Sequence, residues 1–385
     1  MNKQKQTTDI KEKLTKIFSF IILLGVGGIV GAIGGMMAVE EGRSPQGNIL
    51  GLLLIFAIFI IAFTVQIILH EAGHLICGLI SGYDFVSFRV GSLTLVKEND
   101  KFAIKKFNIK GTAGQCLMMP KEDDYEKSPY VLYNLGGILM NAIITILCFV
   151  LYVIFGGNRY LDVILIAMIV SGIGTFITNG IPMKISGIAN DGYNLVSMKK
   201  NKLVRYCFYM QLKVNGLTSK GTRIKDMPLE WFEIDEKADF SNPLVTGIKC
   251  TEANYYHDKL DFDKAKQCYE FLLNYSPKIV KLYEYEIKCE LIFHEIIGRR
   301  NEDKINELYT KNLKAYVKAS KCHINKMRLM YAYALIIEKD MKKVKKILDE
   351  IEIVKKRYPN KGEVESELEI IEFIRKNFES ANTTI

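Results

Sequence analysis

Three side chains within five residues set the chemistry of this sequence: His70, Glu71 and His74, in the run His70-Glu71-Ala72-Gly73-His74. Helix positions four apart share a face, so the two imidazoles can each place a nitrogen on one metal ion. Glu71 lies beside them, where a carboxylate can take a proton from a metal-activated water. Such a motif also occurs by chance on solvated helix faces, and its surroundings decide between the two readings. It closes a long apolar run, Ile49 to Leu69, and apolar residues resume at once with Leu75-Ile76-Cys77. An ionisable group at membrane depth costs about 2.5–3.5 kcal/mol on insertion scales, so three clustered there call for a functional reason.

A catalytic metal needs a third protein ligand. Position 80 is Ile, which excludes the class with a further histidine six residues on. Cys77 is one turn beyond His74, an awkward position for tetrahedral geometry. Glu98, Asp100 and Glu122 to Asp124 are loop carboxylates of the kind that water satisfies. Asp191 differs from these, because it follows a broken membrane segment, precedes Gly192 and returns to the depth of His74 in the topology below.

The elements that position these groups are written in the hydropathy. A membrane helix needs about 20 apolar residues, and such windows fall at Ile17 to Val39, Ile49 to Ile80, Tyr130 to Phe155 and Leu161 to Ile181. Four spans are the simplest count. The first is expected to be a retained anchor, since it is too long for a signal-peptide core and no small-residue cleavage site follows. Its Gly27, Gly31 and Gly35 form a stripe that lets another helix approach closely. Lys3, Lys5, Lys11, Lys13 and Lys16 precede this window, whereas the loops at 40–47 and 156–160 hold only Arg43 and Arg159. That asymmetry puts both termini on the cytoplasmic side of the cell membrane, with the two histidines at the cytoplasmic end of the second span.

Phe85 to Val96 and Phe102 to Ile109, separated by Lys97 to Asp100, read as a β-hairpin. The apolar but glycine-broken stretch from Gly111 to Pro120 is expected to dip into the membrane edge. Asn179-Gly180-Ile181-Pro182 breaks the fourth span, and an irregular connector is expected at about 206–228. Farther on, Ala253, Tyr256, Phe262, Ala265, Tyr269, Leu272 and Pro277 match the spacing of a tetratricopeptide unit, and Ala332, Leu335, Val344, Leu348 and Ile351 repeat much of it. The fold expected is mainly α, a polytopic transmembrane helical bundle of about four spans with a small β-hairpin insertion, followed by a C-terminal α-helical hairpin array. Its domains are 1–48, an N-terminus with its anchoring helix; 49–198, the core, with a hairpin and re-entrant loop at 83–120; 199–240, a connector; and 241–385, a cytoplasmic helical domain.

Composition narrows the function further. The 385 residues are 49% apolar and carry a net charge of +9, but the basic residues follow membrane topology and no nucleic-acid-binding signature accompanies them. Eight cysteines occur without a CxxC pair, which fits free thiols in a reducing compartment.

The HEAGH run at a span end, Gly137-Ile138-Leu139-Met140-Asn141 in a later span, and Asn179 to Pro182 followed by Asp191-Gly192 together resemble the site-2 protease family of intramembrane zinc metalloproteases. The resemblance covers about Ile49 to Met198. It implies that His70, His74 and Asp191 hold one Zn2+ per chain, that Glu71 is the general base, and that Asn141 is a polar group near the developing oxyanion. The stretch at 111–120 is similar to the family's substrate-side strand, and Asn134 is a further substrate-holding or inter-helix amide. The sequence departs from the family in having Ile138 in place of the usual proline and Asn190 in place of leucine or proline before the Asp-Gly pair. It shows no inserted PDZ or CBS segment. The implied substrate is a single-span membrane protein or leader peptide met in the lipid bilayer, with a cytoplasmic protein or peptide on the helical array and no nucleic acid. The rival readings are an inactive membrane scaffold, against which the intact Glu71 argues, and a metal transporter, which would need further polar residues along the spans.

Overall fold

The computed structural model describes residues 28, 32, 45–98, 101–107, 112–185, 188–276 and 278–379. The first apolar window falls outside them except for Gly28 and Ala32, and so does its stripe of Gly27, Gly31 and Gly35. The described residues form two compact units. One is drawn from Met1–Asp84, Ala113–Cys116 and Pro129–Lys200, the other from Phe85–Thr112, Leu117–Ser128 and Asn201–Ile385.

The first unit is built on α1 (Pro45–Ile80), α2 (Val131–Phe155) and α3 (Arg159–Gly180), which pack against one another. Among the described residues these are the three helices long and apolar enough to cross a membrane. Leu50, Phe56, Ile61, Val153 and Ile164 stay exposed on their outer faces, as side chains with lipid for a solvent would. Inside, Ile55, Phe59 and Ala62 of α1 pack on Val163 and Ala167 of α3. Asn158 caps the start of α3 by accepting the N–H groups of Tyr160 and Leu161. At its other end Pro182 disfavours helical backbone at the preceding residue, and Ile181 is extended, with ψ 121°. A two-residue antiparallel pair, Lys184–Ile185 with Ile188–Ala189, then leads into α4 (Asp191–Lys200).

The expected hairpin is a four-stranded antiparallel sheet of β1 (Tyr83–Val90), β2 (Leu93–Glu98), β3 (Lys101–Lys106) and β4 (Gly114–Pro120), in the order β3-β2-β1-β4. The run expected to be one strand from Phe85 to Val96 is two, because Gly91-Ser92 forms a two-residue turn between the paired Val90 and Leu93. Gly91 has φ +57°, the conformation that the first position of such a turn requires. From Gly114 to Pro120 the glycine-broken stretch is β4, an edge strand, in keeping with its likeness to the family's substrate-side strand rather than with a re-entrant loop.

The second unit holds the remaining helices: α5 (Lys202–Ser219), α6 (Pro243–Asp258), α7 (Phe262–Leu273), α8 (Lys281–Ile297), α9 (Glu302–Leu308), α10 (Lys311–Ala319), α11 (Ile324–Ala332), α12 (Met341–Arg357) and α13 (Lys361–Ile374). Much of the region expected to be irregular is α5. Asn201 caps it, and the consecutive buried residues Cys207, Phe208, Tyr209 and Met210 show that it is enclosed on nearly all sides. The core runs through Ile292, Phe293, Leu313, Ile324, Leu335 and Ile371. In a linear helical array each repeat touches only its neighbours. Here the last helix, α13, packs on α5, α6 and α11, so the helices close on themselves. Ion pairs cross the enclosed interior: Arg328 joins Glu290 at 2.6 Å and Glu367 at 2.5 Å, and Lys326 meets Glu286 at 2.6 Å.

Candidate metal centre

His70 and His74 project from the last third of α1, and Asp191 is the first residue of α4. His70 Nε2 lies 3.0 Å from Asp191 Oδ2, His74 Nε2 lies 3.3 Å from the same oxygen, and the two Nε2 atoms are 3.1 Å apart. Among the described residues this is the one group of three or more His, Cys, Asp or Glu side chains placed to hold a metal ion. Cys77 and the acidic run at 122–124 do not join it. Asp123 instead pairs with Lys213 at 2.7 Å, and Asp100 lies outside the described residues.

The hydrogen bonds behind the histidines fix which nitrogens face the centre. His74 Nδ1 lies 2.8 Å from the Tyr133 carbonyl, which can only accept, so Nδ1 carries the proton. His70 Nδ1 lies 2.7 Å from Asn141 Oδ1. Asn141 cannot be turned over, because its Nδ2 donates to the Gln66 carbonyl at 3.0 Å and to Gln66 Oε1 at 2.8 Å. Gln66 is held in turn by its own Nε2, which donates to the Met168 carbonyl at 3.0 Å. With each Nδ1 committed to an acceptor behind it, both imidazoles turn Nε2 inward, toward a carboxylate oxygen. Three potential ligand atoms about 3 Å apart are placed to share one cation. With metal–ligand distances near 2.0 Å, ligand atoms at tetrahedral corners stand about 3.3 Å apart, which matches the spacing observed.

Glycines make room for this arrangement. Gly73 of α1 and Gly136 of α2 sit backbone to backbone, and a Cβ on either would collide with the other's carbonyl. A Cβ on Gly137 would enter the His70 ring. Across the centre, Glu71 is buried and accepts the backbone N–H of Cys116 on β4. A Cβ on Gly114 of the same strand would fall 2.5 Å from Glu71 Oε1. The Cys116 carbonyl accepts the Tyr133 hydroxyl at 2.9 Å, so Tyr133 links this strand to His74.

Asn190 has a definite structural role. Its Oδ1 accepts the Tyr193 N–H at 2.8 Å, capping α4, and its Nδ2 donates to the Thr178 carbonyl at 2.7 Å and the Ile181 carbonyl at 2.6 Å. These bonds tie the start of α4, and Asp191 with it, to the end of α3. Asn134, expected to meet substrate or another helix, donates to the Tyr130 carbonyl at 2.7 Å, one turn back along the chain.

The structure thus brings together His70, Glu71, His74, Asn141 and Asp191. Sequence reasoning missed Gln66, Tyr133 and Cys116. Gln66 did leave a signal, as the one carboxamide in the apolar run from Ile49 to Leu69. A sequence model of peptidase family M50 matches residues 58–382. No curated protein and no solved structure matches the chain.

Proposed function

The chain belongs to peptidase family M50, membrane metallopeptidases of the site-2 protease type, and from that premise we propose that it is an intramembrane zinc endopeptidase. The reading rests above all on one observation: His70 Nε2, His74 Nε2 and Asp191 Oδ2 converge at zinc-like spacing. The chemistry that zinc supplies at such a site is Lewis-acid activation of water and polarisation of a carbonyl at neutral pH.

The protein's own groups do the rest. Glu71, held by the Cys116 N–H, takes the proton of the attacking water and delivers it to the leaving amine. Asn141 hydrogen-bonds a metal ligand, so its part is to orient His70; this favours a positioning role over contact with the oxyanion.

A substrate helix must unwind before its peptide bond becomes accessible, since helical carbonyls are already bonded and shielded. β4 is an edge strand, and an edge can accept an unwound segment as an added strand, which restores the hydrogen bonds that the segment gives up. The substrate class is a single-span membrane protein or leader peptide cut near its cytoplasmic end. The charge asymmetry supports a topology with both termini in the cytoplasm, and in this reading the C-terminal helices, with their partial tetratricopeptide spacing, serve as a recruiting or regulatory domain.

The test is a pair of measurements on Glu71→Gln. Purified protein should keep about one zinc per chain, while cleavage of a co-expressed single-span substrate falls on the order of 10²- to 10⁴-fold. Equal cleavage by the variant would sink the catalytic assignment.

A further inference from the structure

Inside the helical unit, α5, α6, α7, α8 and α11 line a cavity of about 230 Å³ that no part of the peptidase reading uses. Its wall is rich in carboxamides: Gln211 and Asn215 from α5, Asn254 from α6 and Asn325 from α11. Gln211 and Asn215 make no side-chain hydrogen bond among the described residues. Asn254 Oδ1 accepts the Tyr269 hydroxyl at 2.6 Å, which leaves its Nδ2 as the available donor. Asn325 Nδ2 leans on Glu286 Oε2 at 3.4 Å, which leaves its Oδ1 to accept. A carboxamide offers a donor and an acceptor together, as a peptide unit does, so such a wall pairs with extended backbone irrespective of its sequence.

The charged groups in the wall are both carboxylates, Glu286 and Glu290. Lys326 and Arg328 lie behind them, fully buried, and Arg328 is shared with Glu367. Three carboxylates thus face two cations, and the Glu286 side chain remains 33% exposed. Charge complementarity favours a cation in the cavity and disfavours a phosphate-bearing ligand. The volume is below the roughly 300–1,000 Å³ of drug-sized pockets. It suits one side chain with its flanking backbone.

We propose that this cavity binds an extended peptide segment carrying a basic side chain, the carboxamides holding its backbone and Glu286 with Glu290 receiving the cation. The assignment stands apart from the peptidase reading, because none of these residues belongs to the metal centre.

The test uses the full chain in detergent and four tripeptides blocked at both ends, Ala-Lys-Ala, Ala-Arg-Ala, Ala-Glu-Ala and Ala-Ala-Ala, titrated by calorimetry. The lysine and arginine peptides should bind saturably and the glutamate peptide should not. Glu286→Gln should weaken binding at least about tenfold. That variant also disturbs Lys326, so Asn215→Leu, which breaks no internal bond, provides the second arm and should weaken binding without lowering the melting temperature. Equal binding of the glutamate peptide, undiminished binding in both variants, or no saturable binding of either basic peptide by folded wild-type protein overturns the assignment.

Discussion

Asn141 Oδ1 accepts a hydrogen bond from His70 Nδ1 at 2.7 Å, while the other end of the same amide is committed to Gln66. Gln66 is fully buried in α1 and itself anchored to α3 through Met168. One carboxamide thus decides the orientation of another, and the second decides which imidazole nitrogen is free. Removing either partner of a metal-ligating histidine typically lowers metal affinity about 10- to 100-fold. Gln66→Leu and Asn141→Leu should each show a loss of that order in chelator competition, with unchanged helical circular dichroism. Asn141→Asp keeps the acceptor and should lose less. Wild-type affinity in Asn141→Leu would remove it from the support of His70.

The proposed ligand from α4, Asp191, directly follows a cap, Asn190. Asp191→Asn should sharply lower zinc content, whereas Asn190→Leu leaves every ligand atom in place but releases four side-chain hydrogen bonds around the start of α4. The second change should cost about 1–2 kcal/mol of stability and a smaller part of the zinc affinity. If Asn190→Leu matched wild type in both melting temperature and metal content, the cap would have no part in placing Asp191.

The Gly73–Gly136 crossing leaves no space for a methyl group. Gly73→Ala must separate two backbones, at about 1–3 kcal/mol for overpacking, and it moves His70 and His74 away from Asp191 as it does so. Melting temperature and bound zinc should fall together, and intact zinc binding would mean that the helices can shift without disturbing the ligands.

The helical unit holds opposing pH responses. His257 and His294 lie buried with ring centroids 4.9 Å apart. Burial pushes both well below the usual histidine value, reinforced at His257 by Arg328 and at His294 by its neighbour His257. Because the folded values are depressed, the unfolded chain takes up protons first, and stability is lost as pH falls below about 6.5. Burial pushes Glu363 up to about 7, against the pull of its bond from the Tyr358 hydroxyl. There the sign reverses, and stability is lost as pH rises from the ordinary carboxylate range through about 7. Melting curves in detergent should show His257→Phe flattening the acid limb and Glu363→Gln flattening the neutral one. An unaltered profile in both variants would refute these assignments.

The sequence disclosed what is local. His70, Glu71 and His74 are legible because a helix repeats within four residues, and α1, α2 and α3 because a membrane span is a matter of composition. Asp191 needed one further step, the argument that a chain broken at Pro182 comes back to the depth at which it left. Gln66 could not be connected to Asn141 in the same way, since the two are 75 positions apart and only packing shows that they meet. The turn at Gly91-Ser92 was readable in principle and hidden by the apolar residues on both sides. α5 lacks the one-sided apolar pattern of a surface helix because it is buried nearly all round, with Cys207, Phe208, Tyr209 and Met210 enclosed in succession. The expected first span lies outside the described residues.

Tyr133 touches both halves of the proposed reaction. Its carbonyl holds His74, and its hydroxyl holds the strand residue whose N–H steadies Glu71. A segment that docks on β4 and tightens this strand would then act on the proposed metal ligand through a single residue. Thermodynamic reciprocity makes such an effect mutual: the factor by which a docked segment tightens zinc must equal the factor by which zinc tightens the segment. Measuring the two affinities in Tyr133→Phe, which keeps the carbonyl and loses the hydroxyl, would show whether that factor passes through this residue, and with it whether the enzyme senses its substrate before cutting.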